Sequence, residues 1–539
     1  MNTSRFILSS FSILACFATE TVSDTAYDES NNFNELVLAL KDLNYATVPS
    51  FPAPSLSFPS PPVNSSSNGC TLTLPKCKFL GTIMPNVTSQ PGSASYVEGD
   101  SNYWSSQQAE TLPACRVQPE TSRDVSASLL VTKFFQCPFA VKSGGHAAFQ
   151  GASNINGGLT IDLANLNMIQ VSSDNTLTQV GAGNRWIDVY MHLDPLQLSV
   201  IGGRVADIGV GGLTLGGGIS FFSGRHGWAC DGVRNYQVVL ANASIVEVNQ
   251  QSFPDLYFAL RGGGNNFGIV TSFDLETFPQ GQMWGGMTAY PITANASILS
   301  ALEKFAVNAS SDPDAALIVA FAYAEGQYIA STDIEYAKPI IAPPVFQAFT
   351  NIESITSTLR ITTLTNLTEE LKTVNPSGFR EFYTTATFKN TPDLQNQILE
   401  LFVTEVNSIT DAEGIIPALV LQPITTEVIS YFSKNGGNAL GITESDGPLI
   451  LLNIAIMWSS PLDDDRIISA GNRVVNSSVA LAKSMNADYK YIYQNYASQN
   501  QNVFAGYGAA NQQRLIDISR KYDPEQIFQT LQPGYFKLN

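Results

Sequence analysis

The stretch GGRVADIGVGGLTLGGG (202–218) has the most unusual composition in the chain, because eight of its seventeen residues are glycine. Glycine has no Cβ, so the backbone N–H groups of such a stretch can approach an anion closely and point several donors inward. A diphosphate needs donors in this arrangement. The interleaved apolar residues disfavour a flexible linker and leave a structural glycine-rich turn as the alternative. The stretch contains neither G-x-G-x-x-G nor G-K-S/T, which excludes the Rossmann and Walker A patterns.

Two further glycine-rich loops lie in the same part of the chain. KSGGH (142–146) follows the apolar segment 138–141, and RGGGNNFG (261–268) precedes a predicted strand at 269–273. Each loop therefore marks a junction between a strand and a turn. His146 is one of three histidines, and a lone histidine after two glycines is more often a surface turn residue than a functional one. Three such loops beside strands predict one extended ligand with a phosphate and a ring.

The composition is that of a globular protein with more than one core. Of the 539 residues, 44% are hydrophobic and 14% are charged, whereas disordered chains are polar and heavily charged. A chain of this length is expected to form two or three domains. The net charge of −18 argues against a nucleic-acid partner, because phosphate contacts need clustered lysine and arginine.

The first residues and the glycosylation motifs predict export from the cell. Arg5, the apolar run 6–18 and a polar exit are typical of a signal peptide, which we place at residues 1–22; a buried N-terminal helix is the alternative. No later stretch is long and apolar enough to cross a membrane, so we expect no membrane partner. Seven Asn-x-Ser/Thr motifs after the signal segment favour a secreted, N-glycosylated protein. These motifs begin at Asn64, Asn86, Asn242, Asn295, Asn308, Asn366 and Asn476.

The remaining chain divides by composition into an extension and three globular parts. Residues 23–76 form an N-terminal extension whose segment 48–68 is a Pro/Ser-rich linker. Residues 77–284 alternate short strands with glycine-rich turns, including a hairpin at 236–248 and a helix after Arg123. The other predicted elements are helices at 297–307, 465–485 and 509–521 and a buried strand at 449–458.

Eight segments together resemble the berberine bridge enzyme-like family of FAD-linked oxidoreductases, which has the PCMH-type (vanillyl-alcohol oxidase) fold. They are YWSSQQ (103–108), ACRVQP (114–119), FAVKSGGH (139–146), GGLTIDLANLN (157–167), GVGGLTLGGG (209–218), RGGGNNFGIV (261–270), YQNYA (493–497) and RLIDISRKYDPEQIF (514–528). The resemblance extends over nearly everything from residue 77 onward and is close to secreted fungal members. It implies an α+β fold. A PCMH-type FAD-binding domain of two α/β subdomains would occupy 77–284, a substrate-binding domain with an antiparallel sheet covered by helices would occupy 285–487, and residues 488–539 would complete the FAD domain.

The resemblance also implies which residues hold FAD. The histidine of the SGGH motif, His146, would bond covalently to the flavin 8-methyl carbon. The other implied cofactor-binding residues are Lys142, Ser143, Gly144 and Gly145 at the diphosphate; Gly209, Gly211, Gly212, Gly216, Gly217 and Gly218 on the other side of the cofactor; Asp231, Val233, Ile269 and Val270 beside the flavin and ribose; and Asn495 and Tyr496 over the isoalloxazine ring.

The positions of the cysteines predict how many covalent bonds the cofactor has and which disulfides form. Many relatives form a second flavin bond from a cysteine at the position that is Val205 here, so a single link is expected. Five cysteines follow the signal segment without metal-site spacing, which predicts no metal, two disulfides and one leftover thiol. Cys230 is expected to be that buried thiol. Cys77 is predicted to pair with Cys137, which leaves Cys70 with Cys115, although four cysteines allow three pairings.

When a flavoenzyme oxidises its substrate, a hydride moves from the substrate to the flavin while a base takes the acidic proton of the substrate. In carbohydrate-oxidising relatives a tyrosine of the Tyr-x-Asn-Tyr motif is this base or its partner, which implies Tyr496 with Tyr493 nearby; packing on the ring is the alternative role. Ile208 replaces a smaller residue that favours oxygen access in some relatives, so both oxidase and dehydrogenase stay open. We predict a secreted, monomeric FAD-dependent oxidoreductase that acts on a sugar, an alcohol or a secondary metabolite, with O2 as a candidate oxidant. The alternative is a secreted flavin-binding protein whose catalysis is lost or incidental.

Overall fold

The computed structural model describes residues 23–45 and 75–538. Its N-terminal part is a four-stranded sheet in the order β1-β2-β4-β3, in which β2, β4 and β3 are parallel. The strands are β1 (Thr88–Ser89), β2 (Cys115–Val117), β3 (Phe139–Lys142) and β4 (Leu159–Asp162), and the helices are α1 (Ser23–Asp42), α2 (Pro75–Ile83), α3 (Ala94–Ser101), α4 (Ser106–Ala109) and α5 (Ser122–Phe134). The helix predicted after Arg123 is α5, and the Thr121 side chain caps its first turn by accepting a hydrogen bond from Asp124 N.

The second sheet is antiparallel and has the order β5-β6-β10-β8-β9, with β7 also paired to β10. Its strands are β5 (Ile169–Val171), β6 (Leu177–Gly181), β7 (Leu198–Val200), β8 (Val233–Val239), β9 (Ile245–Val248) and β10 (Ile269–Pro279), and the helices between them are α6 (Trp186–Leu193), α7 (Val210–Leu215), α8 (Ser223–His226) and α9 (Pro254–Leu260). Strands β8 and β9 form the predicted hairpin, whose turn includes Ala243 at a φ of 65°.

The third sheet has nine strands, all antiparallel, in the order β14-β11-β13-β12-β17-β18-β16-β19, with β15 beside β11. Its strands are β11 (Met283–Pro291), β12 (Ala315–Ala324), β13 (Gln327–Tyr336), β14 (Thr356–Ser357), β15 (Arg360–Thr362), β16 (Arg380–Lys389), β17 (Ile416–Ile424), β18 (Leu449–Trp458) and β19 (Asp488–Tyr489). Its helices are α10 (Asn295–Asn308), α11 (Gln347–Thr350), α12 (Leu364–Thr373), α13 (Pro392–Val406), α14 (Thr426–Ser430) and α15 (Asp464–Ser484). The predicted strand at 449–458 and helices at 297–307 and 465–485 are confirmed as β18, α10 and α15.

The two faces of this sheet differ because successive strand residues point to opposite sides. On β18, Ile450, Leu452 and Ile454 join the hydrophobic core that helices α10, α13 and α15 cover. The opposite face, here called the inner face, is directed towards the first two sheets, and its residues Ala316 and Ile318 pack against their core. The inner face is therefore the surface of the third sheet that can contribute to a site between the parts.

The last fifty residues return to the core of the first two sheets. The C-terminal helices are α16 (Val503–Gly506), α17 (Ala509–Tyr522) and α18 (Ile527–Thr530). Leu515 of α17 and Phe528 of α18 are fully buried in that core, and Phe139 N on β3 donates a hydrogen bond to Leu531 O. The helix predicted at 509–521 is confirmed as α17.

The disulfide differs from the prediction. Cys77 on α2 is bonded to Cys115 at the start of β2, so the predicted pair of Cys77 with Cys137 is wrong, and Cys115 is not available to Cys70. The physical reason is that α2 packs beside the β1–β2 edge, which brings the two Cα atoms to 5.8 Å. Cys230 is a buried free thiol, as expected. The signal segment 1–22, the linker 48–68 and Cys70 lie outside the described residues.

Candidate active site

The first two glycine-rich loops interlock. A Cβ on Gly144 would lie 2.4 Å from Gly209 N, and a Cβ on Gly209 would lie 2.2 Å from Gly144 N. The Ser143 hydroxyl joins the loops by accepting a hydrogen bond from Gly211 N at 3.1 Å and donating one to Ala182 O at 2.6 Å. Only glycine permits this backbone-to-backbone approach, so the two loops lie directly against each other.

The C-terminal motif docks on the end of the second glycine loop. A Cβ on Gly216 would lie 2.0 Å from Asn495 Oδ1, and Asn495 Nδ2 donates a hydrogen bond to Leu213 O at 3.0 Å. Gly217 and Gly218 have φ values of +114° and +87°, which side chains rarely adopt. The Tyr-x-Asn-Tyr segment is therefore held against the loop by contacts that need glycine there.

His146 lies at the exit of the first glycine loop in a defined orientation. Its ring stacks on Trp104 with centroids 4.3 Å apart and planes 11° from parallel. Its Nε2 atom lies 3.4 Å from Asp207 Oδ1, and the two side chains are only 12% and 4% exposed. Burial by itself would raise the pKa of Asp207, but the His146 imidazole, with the charges of Lys372 and Arg185, holds it below its ordinary value. Asp207 is therefore a carboxylate directed at the imidazole.

Tyr496 reaches the inner face of the third sheet. Its hydroxyl oxygen accepts hydrogen bonds from Arg204 Nη2 at 2.8 Å and from Gln422 Nε2 on β17 at 3.1 Å. Arg204 Nη2 also donates to Gln422 Oε1 at 2.7 Å, which closes a triangle of side chains. Tyr383 on β16 packs its ring against both Tyr496 and Trp104. The phenol of Tyr496 thus sits beside a fixed positive charge.

Tyr493 has a different environment from Tyr496. It is 1% exposed, and its hydroxyl accepts hydrogen bonds from Ile219 N and Asn495 Nδ2, both at 3.1 Å. Burial raises the pKa of this hydroxyl above its ordinary value. Such a phenol stays protonated and supports the loop by packing and hydrogen bonding.

The other predicted cofactor-binding residues lie at the ends of strands around the loops. Lys142 Nζ is paired with Asp162 at 3.0 Å, and burial lowers its pKa. Asp231 is fully buried, accepts hydrogen bonds from Trp228 N and Asn438 Nδ2, and has its pKa raised to about 6 by burial. Val233 begins β8, and Ile269 and Val270 begin β10, all with buried side chains. Contact of these residues with a cofactor stays a prediction.

The structure adds functional candidates that the sequence did not single out. Arg204 and Asp207 are the charged residues of the glycine stretch 202–218, and this was the signal that could have identified them. Trp104 lies in the motif at 103–108, where nothing in the sequence marks its contact with His146. Gln422 has no such signal, because only the register of β17 in the third sheet brings its side chain to Tyr496. Lys537 is a half-buried cation near the third glycine loop, where its Nζ donates to Asn265 Oδ1 at 3.1 Å. Burial lowers the pKa of Lys537 to about 7, and no salt bridge forms between it and a carboxylate of the described residues.

Residues 113–249 match the FAD binding domain family. FAD-dependent monooxygenase tpcD of Cochliobolus heterostrophus is 40% identical over 491 residues, which cover 88% of this chain and 95% of the relative. Among solved structures, BBE-like 1 of Physcomitrella patens matches with a TM-score of 0.69 at 18% identity, covering 84% of this chain and 97% of that one. Glucooligosaccharide oxidase from Acremonium strictum, described with a 6-S-cysteinyl, 8α-N1-histidyl FAD, matches with a TM-score of 0.66 at 20% identity, covering 82% and 95%. These two structures share the fold, and the α+β fold expected from the sequence is confirmed.

Proposed function

Since the chain belongs to the berberine bridge enzyme-like family of FAD-linked oxidoreductases and is an enzyme that binds FAD, we propose that it oxidises a small organic substrate at a flavin linked to His146. One observation carries the proposal. The largely buried His146 ring is held by Trp104 and Asp207 at the exit of two interlocked glycine loops. This arrangement places an imidazole nitrogen beside two glycine-rich loops whose backbone a diphosphate could approach.

The residues present fit FAD. In these loops a Cβ on Gly144, Gly145, Gly209 or Gly211 would lie 3.0 Å or less from a neighbouring atom, whereas a Cβ on Gly212 would meet nothing within 4 Å. A diphosphate could therefore approach a backbone that carries no side chain. Lys537, which has no carboxylate partner in the described part of the chain, would supply a positive charge in its protonated form. When bound, the flavin supplies the acceptor for a hydride. The protein's own contribution is to hold the ring, exclude water and move a proton.

Tyr496 is the residue that we assign to proton removal. Two donors, Arg204 and Gln422, point at its hydroxyl oxygen, so a negative charge formed there is stabilised by a guanidinium and an amide. The position of Tyr496 over the inner face suits a substrate that lies between the sheet and the cofactor. Tyr493 would support this arrangement through Asn495, because its own hydroxyl is buried and accepts hydrogen bonds from Ile219 N and Asn495 Nδ2.

The inner face favours a weakly polar substrate. On this face Ala320, Ala418, Val420 and Ala455 are small, apolar and half-exposed, whereas the polar side chains of the same face, Asp333, Glu335 and Asn453, are buried. The half-exposed residues offer an apolar surface on which a hydrocarbon skeleton can pack. We propose an alcohol or a secondary metabolite with an apolar skeleton. Dioxygen is the proposed oxidant of the reduced flavin, a choice that the name of the monooxygenase relative supports.

One covalent bond to the flavin is proposed, not two. In doubly linked relatives the second bond to the flavin comes from a cysteine. The corresponding residue here is Val205, which packs against the core of the first two sheets. Cys230 is not a substitute, because it is fully buried with its Sγ at 3.8 Å from Asp231 and burial raises its pKa. A thiol in that environment is a poor nucleophile.

Secretion and N-glycosylation of a monomer complete the proposal. Among the described sequons, five asparagines are exposed and accessible to glycosylation: Asn86, Asn242, Asn308, Asn366 and Asn476. Asn295 is half-exposed. None of the helices in the described ranges combines the length and the apolar character needed to cross a bilayer.

The test uses the purified full-length chain. Yellow colour that stays with the protein after acid precipitation is expected, and His146→Ala should release it to the supernatant. A panel of apolar alcohols, phenols and oligosaccharides is then added, and loss of absorbance near 450 nm identifies the substrate class. Bleaching by oligosaccharides alone would contradict the apolar substrate, and no bleaching by any compound would favour a flavin-binding protein without catalysis.

A further inference from the structure

We infer that Asp207 is the positioning residue that prepares His146 for its covalent attachment to FAD. The inference rests on the proposed link to His146. It concerns how the chain makes that link and assigns a role to a residue of the glycine stretch that binding of a diphosphate does not require.

The first step of the argument is the pairing of the two side chains. Among the described residues, neither His146 Nε2 nor Asp207 Oδ1 has a hydrogen-bond partner, although both atoms are buried. The two atoms lie 3.4 Å apart, close to hydrogen-bond distance. A small shift of either side chain makes a charge-assisted hydrogen bond, which is stronger than a neutral one.

The second step is the tautomer. A carboxylate beside Nε2 keeps the ring proton on that nitrogen and leaves the lone pair on Nδ1. Nδ1 makes no hydrogen bond to any residue of the described ranges, so it remains the nucleophilic nitrogen. Stacking on Trp104 fixes the plane of the ring, and the low pKa of Asp207 keeps the carboxylate ionised.

The third step is the balance of the reaction. A bond forms between His146 Nδ1 and the flavin 8-methyl carbon, while one C–H bond of that methyl group and the Nε2–H bond break. Two protons leave, and two electrons pass into the flavin ring and from there to dioxygen, which becomes hydrogen peroxide. Asp207 stabilises the positive imidazole as the N–C bond forms and then accepts the Nε2 proton.

The test compares covalent flavin in Asp207→Asn, Asp207→Glu and wild-type chains, incubated in air with added FAD. Linked flavin is measured by fluorescence of the denatured protein in a gel, and loosely bound flavin by its release on acid precipitation. Asp207→Asn should form the link at least tenfold more slowly while still binding FAD, and Asp207→Glu should restore much of the rate. Asp517→Asn, an exposed carboxylate on α17, is the matched control and should behave as wild type.

The outcomes separate this inference from the proposal on which it rests. A wild-type chain without linked flavin would refute the His146 link itself. Linked flavin in wild type with an equal rate in Asp207→Asn would overturn the role of Asp207 and leave the His146 link intact. If Asp207→Asn and Asp207→Glu both lost even the loosely bound flavin, Asp207 would be a structural residue of the loop, and the inference would fail.

Discussion

At the scale of single residues, the two tyrosines of the C-terminal motif separate by their hydrogen bonds. Replacing Tyr496 by Phe removes the oxygen that Arg204 and Gln422 contact. We expect the turnover rate to fall by about 100-fold or more, as for loss of a general base, with flavin content and melting temperature unchanged. The measurement is the rate of flavin bleaching by the substrate found in the panel.

Tyr493→Phe is the matched control for that variant. Its hydroxyl accepts two hydrogen bonds in a buried place, so its loss leaves Ile219 N and Asn495 Nδ2 without that acceptor. The expected effect is on stability, about 1–3 kcal/mol, with a smaller change in rate. The assignment of the base would be reversed if Tyr493→Phe abolished bleaching and Tyr496→Phe did not.

Lys537 allows a second prediction at the residue scale. Its pKa is about 7 in the chain without cofactor, so above pH 7 the amine is mostly neutral. Binding of an anion beside Lys537 favours the protonated amine, so at such a pH the binding is coupled to uptake of a proton. In the His146→Ala background we therefore expect FAD affinity to fall as the pH rises from 7 to 9. Lys537→Met should weaken binding about tenfold at pH 7 and remove this pH dependence, as read by titration with FAD.

The control for Lys537 is Lys521→Met, because the Lys521 ammonium is exposed and paired with Asp255. This variant should bind FAD with wild-type affinity and pH dependence. If Lys537→Met bound FAD like wild type at every pH, Lys537 would not face the anionic part of the cofactor.

At the scale of structural elements, the interlocked glycine loops are the feature whose disruption should cost most. Gly209→Ala would place a methyl group 2.2 Å from Gly144 N, in a position that backbone occupies and that cannot be vacated by a rotamer change. We expect a loss of about 3 kcal/mol in stability and of bound flavin, because overpacking forces the backbone to move. Thermal unfolding and the ratio of flavin to protein absorbance measure both effects.

Gly281→Ala is the matched control, since a Cβ at Gly281 would meet no atom within 4 Å and its φ is not positive. It should leave both the melting temperature and the flavin content unchanged. Equal behaviour of the two variants would show that the loops separate easily and that their close contact does not organise the site.

The same elements show how far the sequence leads. The glycine loops, His146 and the Tyr-x-Asn-Tyr motif could be found by composition and resemblance, because each is a short local pattern. Gln422 could not, because it meets Tyr496 from 74 residues away and only the register of β17 directs its side chain inward. The partner of Cys77 likewise depends on how α2 packs on the β1–β2 edge, which no spacing of cysteines encodes.

At the scale of the whole molecule, acid groups are buried where the third sheet faces the first two. Asp333 and Glu335 alternate on β13, so both point to the inner face, and Asp333 Oδ2 and both Glu335 carboxyl oxygens have no hydrogen-bond partner among the described residues. Burial raises the pKa of Asp333 to about 7 and holds that of Glu335 well above its ordinary value, with Asp333 adding to the effect. The positive charge of Arg204 acts in the opposite direction and lowers the pKa of Asp333, which offsets part of the effect of burial.

These raised pKa values predict how stability depends on pH. The folded chain binds more protons than the unfolded chain between pH 4, where free carboxyl groups ionise, and about pH 7, so the free energy of unfolding falls as the pH rises through this window. The net charge of −18 adds repulsion of the same sign. Glu335→Gln removes one of the two acids. Between pH 5 and pH 8 its free energy of unfolding should therefore fall by on the order of 1–2 kcal/mol less than that of the wild type, as followed by the melting temperature at each pH. Glu400→Gln, at an exposed position of α13, should keep the wild-type slope. An unchanged slope in Glu335→Gln would mean that the pair does not hold its proton in the folded chain, and the inner face would then carry two negative charges close to Arg204.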